Sequence, residues 1–122
     1  NEALLVAGDA AAIAEHFSPD FVAHIGGHDY RGHRFVKRLV NEIRRSFTDP
    51  RVDVDVLMCH GDSVAWQRTL RAKHETAFKG FPATGRSITW HDMIVTRFDG
   101  TLIAEDWAVS DLAERLLAAR HT

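Results

Sequence analysis

The chain of 122 residues has one cysteine, three prolines and one tyrosine. It also lacks any apolar run near the roughly 18 residues that a membrane-crossing helix needs. A lone Cys59 cannot close an internal disulfide, so a cross-linked secreted scaffold is excluded. Nor is there a charged segment followed by an apolar one at the start, and a cytoplasmic protein is expected. Positive charge is not in excess: 15 Lys and Arg stand against 17 Asp and Glu, for a net charge of −2. Nucleic acid is therefore not an expected partner, since phosphate binding needs concentrated positive charge. The basic residues between Arg31 and Arg45 alternate with Phe35, Val36, Leu39, Val40 and Ile43, which reads as the solvated face of a helix. No Gly-x-Ser-x-Gly, P-loop or dinucleotide fingerprint occurs. The histidines are badly spaced for metal. Gly26-Gly27 separates His24 from His28, and the adjacent His91 and Asp92 point to opposite faces of a strand, so no metal site is expected.

What is present is an ordinary globular composition, 45% apolar and 26% charged, long enough for one core. One domain over 1–122 is expected. A helical pattern is already running at Asn1, in Glu2 to Val6, so residues are expected to precede it. Asp9 suits the N-cap of a helix from Ala10 to Phe17, which Ser18-Pro19-Asp20 stops. Phe21 to Ile25 is a short strand closed by Gly26-Gly27. From His33 to Phe47 apolar residues recur at steps of three and four, the strongest helical signal in the chain. The period then changes to two. Val52, Val54 and Val56 predict a strand with one buried face, and Val64, Trp66, Arg68 and Leu70 lie on the next. Gly80 to Gly85 is a loop. Ile88 to Phe98 and Leu102 to Val109 are the last strands, and Ser110-Asp111 caps a closing helix through Leu112, Leu116 and Leu117. Helices first and antiparallel strands after predict an α+β fold.

This order and several motifs resemble the SnoaL-like polyketide cyclases, or ester cyclases, of the nuclear transport factor 2-like superfamily. The likeness is carried by Phe21-Val22-Ala23-His24, Gly61-Asp62-Ser63-Val64-Ala65 and Thr69-Leu70-Arg71-Ala72-Lys73-His74. It continues through Phe78-Lys79-Gly80-Phe81-Pro82-Ala83-Thr84-Gly85-Arg86 and Ile103-Ala104-Glu105-Asp106-Trp107. The resemblance implies a strongly curved sheet wrapped into a cone, with helices closing an apolar pocket. It also implies an intramolecular aldol condensation without metal or organic cofactor, using an aspartate just after the tryptophan of the last strand. Here that position is Ala108, the preceding motif histidine is Asp106, and a second polar position is Ile94.

Strand alternation offers replacements. Residues two apart share a face, so Asp106 accompanies Ala108, and Asp92 and Trp90 accompany Ile94. The expected site has Asp106 and Asp92 as general acid and base, with His24 polarising a carbonyl. Trp90, Trp66, His28 and Phe81 are expected to bind the substrate, a small apolar molecule. Trp107 is expected on the outer face, at a homodimer contact. A non-catalytic binding or dimerisation module of the same fold is the alternative, because fold alone does not decide function.

Overall fold

The computed structural model describes residues 11–120, so the expectations for Glu2 to Val6, and for Asp9 as a cap, lie outside the described residues. Helix α1 (Ala11–His16) leads into β1 (Phe17–Ile25), then β2 (His28–Arg31) and helix α2 (Gly32–Ser46). Strands β3 (Phe47–His60), β4 (Ser63–His74), β5 (Ser87–Asp99) and β6 (Leu102–Ser110) follow, and α3 (Leu112–Arg120) closes the chain. The six strands form one curved sheet in the order β2-β1-β6-β5-β4-β3. Neighbours are antiparallel except β1 and β6, which run parallel. No helix among the described residues is long and apolar enough to cross a membrane.

The core lies between the helices and the inner face of the sheet. Helix α2 turns Val36, Val40 and Ile43 inward, the spacing of one helical face, and leaves Arg34, Lys37 and Arg38 outside. From the sheet come Phe21 and Ala23 of β1, Leu70 of β4, and Ile88 and Trp90 of β5. Strand β5 alternates strictly: Ile88, Trp90, Asp92, Ile94 and Thr96 are buried, and their neighbours face out. Gly61 and Gly100 turn the β3-β4 and β5-β6 hairpins at φ of 59° and 62°, conformations that glycine adopts without a Cβ clash.

Strand β2 was not foreseen, because its four residues carry no period of their own. Strand β3 begins at Phe47 rather than beyond Pro50. Its register slips between Thr48 and Arg51, where Asp49 takes φ 52°. As an edge strand, β3 tolerates a proline that cannot donate to the ladder. Finally, Val54 and Val56 are 51% and 62% exposed rather than buried, because their strand lies at the edge of the sheet, away from the packed core.

Candidate active site

Under α2 the sheet encloses a cavity of about 140 Å³. Its wall is almost wholly apolar, with Phe21, Ile25, Leu39, Val40, Ile94 and Ile103 among the contributors, while Arg68, Thr96 and Asp106 bring charge and hydrogen-bonding capacity. Such a volume is comparable to the roughly 150 Å³ apolar cavity that accommodates a benzene ring in another protein. At Trp66, Thr96 and Ile103 the cavity meets an open cleft of about 410 Å³ walled by Val52, Val54 and Val56.

Asp106 owes its place to register. A bulge in β6 falls between Ile103 and Glu105, so both Ile103 and Asp106 line the cavity although they are three apart. Beyond the bulge the pairing is unbroken, Thr96 opposite Asp106 and Ile94 opposite Ala108, and Asp106 and Ala108 both face the cavity. The Thr96 hydroxyl donates to Asp106 Oδ1 at 2.6 Å and accepts from Trp66 Nε1 at 2.9 Å. Burial in apolar surroundings pushes the Asp106 carboxyl above its ordinary 3.8, against the Thr96 hydrogen bond and the positive charge of Arg68.

Asp92 also faces inward, at 6% exposure, but it is claimed by Arg68, which stands directly opposite on β4. Arg68 Nε and Nη2 donate to Asp92 Oδ2 at 3.0 and 2.6 Å. The two carboxylates thus lie on one side of the sheet in different settings: Asp106 meets the cavity, and Asp92 neutralises a cation.

His24 does not join them. Phe21, Ala23 and Ile25 of β1 take the inner face, so alternation sends His24 outward, beside Trp107 of β6. Its ring stacks on Trp107 at 5.2 Å, and its nitrogens contact Glu105 Oε2 and Asp29 Oδ1, each at 2.6 Å. Hydrogen bonding to Glu105, then to Asp29, raises its pKa above 6.5, and pairing with His24 lowers that of Glu105. Arg97 Nε donates to the other Glu105 oxygen at 3.1 Å.

The expected binding residues separate as well. Trp66 lines both the cavity and the cleft. Trp90 is core, 2% exposed, with its ring 4.9 Å from that of Phe47. Phe81 packs against the core beside Phe78 and does not line the cavity. His28 is exposed on the edge strand β2, away from the cavity. The sequence offers Arg68 and Arg97 as candidate ion-pair partners of Asp92, and Arg68 is the one that takes the role. Thr96 is not singled out, although parity marks it as sharing a face with Asp92 and Ile94. Among the described residues, no three or more His, Cys, Asp or Glu side chains gather as a metal site would require.

The family model for the SnoaL-like polyketide cyclases matches residues 1–118. Among solved structures, IdmH of Streptomyces antibioticus, a candidate polyketide cyclase, is 26% identical; the match covers 99% of this chain and 92% of that one, with a TM-score of 0.83. AclR of Streptomyces galilaeus, a candidate hydroxylase, is 27% identical over 98% of this chain and 90% of its own, with a TM-score of 0.82. A SnoaL-like cyclase candidate from Jannaschia shares the fold at 19% identity, covering 98% of this chain and 88% of that one with a TM-score of 0.82. No curated protein matches. With its curved six-stranded sheet, its helices and a family match spanning nearly every residue, the chain belongs to the SnoaL-like polyketide cyclase family.

Proposed function

We propose that this chain is an enzyme acting by general acid–base chemistry on a small, largely apolar carbonyl compound, with Asp106 as the group that takes and returns the proton. The observation that carries the reading is a carboxyl of raised pKa set in a mostly apolar cavity. A carboxylate relieved of some hydration is a stronger base, and its acid form persists to higher pH than that of a solvated aspartate. Asp106 removes a proton from the carbon beside the carbonyl, the C–H electrons pass into the enolate, and the protonated carboxyl is left. Returning that proton to another carbon completes an isomerisation. Attack of the enolate carbon on a second carbonyl, with the proton passing to the new alkoxide, completes a cyclisation; loss of water from the product is a dehydration. No step calls for a metal or an organic cofactor.

Asp92 is better suited to holding Arg68 than to acting as a second base, and His24 has no part in the chemistry because it lies on the other face. A ring fits the cavity, and apolar extensions would lie in the cleft along Val52, Val54 and Val56. The protein is further proposed to be a homodimer and to reside in the cytoplasm. The first fits the apolar outer face of the sheet, and the second fits a single free Cys59.

The test is exchange of α-hydrogens in deuterated water, followed by NMR for cyclohexanone and a series of aryl ketones. The wild type should exceed buffer for a ketone it binds, and Asp106→Asn should lose about 100-fold or more of that rate while still binding. Equal rates in both proteins, or no exchange of any bound ketone, would contradict the proposal. The second outcome would favour a non-catalytic binder, a reading supported by Ala108 at the position where the family resemblance implies an aspartate.

A further inference from the structure

The pair of Arg68 and Asp92 is not explained by stability. Both side chains are nearly buried, 16% and 9% exposed, and an ion pair taken out of water gains little over well-packed apolar residues of the same volume. One oxygen of the pair, Asp92 Oδ1, is buried without a hydrogen-bond partner, which adds to the cost. Yet the pair stands beside a cavity otherwise fit for apolar contacts, and Arg68 itself forms part of the wall.

Its placement is well defined. Asp92 grips Nε and Nη2 from the neighbouring strand, and the guanidinium carbon lies 5.7 Å from the centre of the Trp66 ring. Arg68 lines the same cavity as Asp106, and its charge acts on that carboxyl. What Arg68 offers a ligand is a guanidinium held in place by Asp92 in the cavity wall, where its N–H dipoles and charge are screened less than in bulk water.

We propose that Arg68 binds the carbonyl oxygen of the substrate and holds the negative charge that develops there, so that the cavity selects compounds able to become enolates or phenolate-like anions. The inference rests on the reading of Asp106 as the proton carrier, and it deepens that reading. Asp106 takes the α-proton, the electron pair moves onto oxygen, and Arg68 faces that oxygen. A purely apolar ligand would gain nothing from the arginine.

The measurement compares equilibrium binding of two probes of similar shape, 4-nitrophenolate and neutral nitrobenzene, above the pH at which the free phenol ionises. The wild type should bind the phenolate about tenfold or more tightly than nitrobenzene. Arg68→Gln should erase that preference and leave nitrobenzene binding nearly unchanged. The double variant Arg68→Met with Asp92→Leu removes both charges together, leaves no orphaned carboxylate, and should behave alike. Asp106→Asn should keep the preference. That arm separates the two readings, because a failed exchange test leaves the anion preference standing. Equal binding of the two probes to the wild type, a preference that survives in the variants, or failure of both probes to bind would overturn the proposal.

Discussion

At the scale of single residues, the account turns on which groups are desolvated and which are satisfied. Thr96 is the tuning group for Asp106: its hydroxyl stabilises the ionised carboxylate. Thr96→Val keeps the shape and removes that hydrogen bond, so the Asp106 pKa should rise further. The rising limb of a pH–rate profile for α-proton exchange should then move to higher pH, at a stability cost of about 1 kcal/mol or more, since Trp66 Nε1 also loses its acceptor. A carboxyl whose folded pKa is raised binds protons more readily in the native state, so its contribution falls as pH rises through that pKa. Asp106→Asn removes the desolvated charge, and at neutral pH it should raise the melting temperature. His74 works the other way. It is fully buried, its Nε2 has no partner, and burial holds its pKa below 6.5. The unfolded chain therefore takes up the proton first, and the native state loses stability as pH falls below 6.5. His74→Asn retains an acceptor for the Thr84 amide, which now donates to Nδ1, and should flatten thermal stability between pH 7 and pH 5 relative to wild type.

At the scale of elements, periodicity was informative where one face of an element is committed to the core. The steps of three and four along α2 announced Val36, Val40 and Ile43, all buried. Ile43→Ala should accordingly cost about 2–5 kcal/mol in denaturant unfolding, whereas Lys37→Ala on the exposed face should stay within about 0.5. Alternation along β5 and the end of β6 likewise located Asp92 and Asp106 on the inner face. The same rule applied to β1 would have placed His24 outward, because Phe21, Ala23 and Ile25 already claim the other side. The expectation that His24 reaches the pocket is therefore corrected by the parity of its own strand. Val54 and Val56 show a different limit: alternation reveals that a strand has two unlike faces, but not whether anything covers the apolar one. Which carboxylate would be paired was not legible either. The partner of Asp92 is set by register between β4 and β5, and register depends on turns and bulges remote from both residues.

At the scale of the whole molecule, the outer face of the sheet carries a group of exposed apolar side chains. Val95 and Trp107 are 40% and 42% exposed, with Met93 and Val109 beside them, and together they make a contiguous apolar surface of the kind that marks interaction sites. In the proposed homodimer this face packs on its own copy. Trp107→Glu should then shift the mass measured by sedimentation from dimer to monomer, with the inner cavity and its ligand binding preserved. On the opposite side of the sheet, burial in a mostly apolar cavity gives Asp106 a carboxyl that holds its proton to higher pH than an ordinary aspartate. The direct measurement is a carbon-13 NMR titration of the aspartate side-chain carboxyls, with the Asp106 signal identified by its absence from Asp106→Asn. The account predicts a midpoint clearly above the ordinary 3.8. A midpoint at or below that value would contradict it.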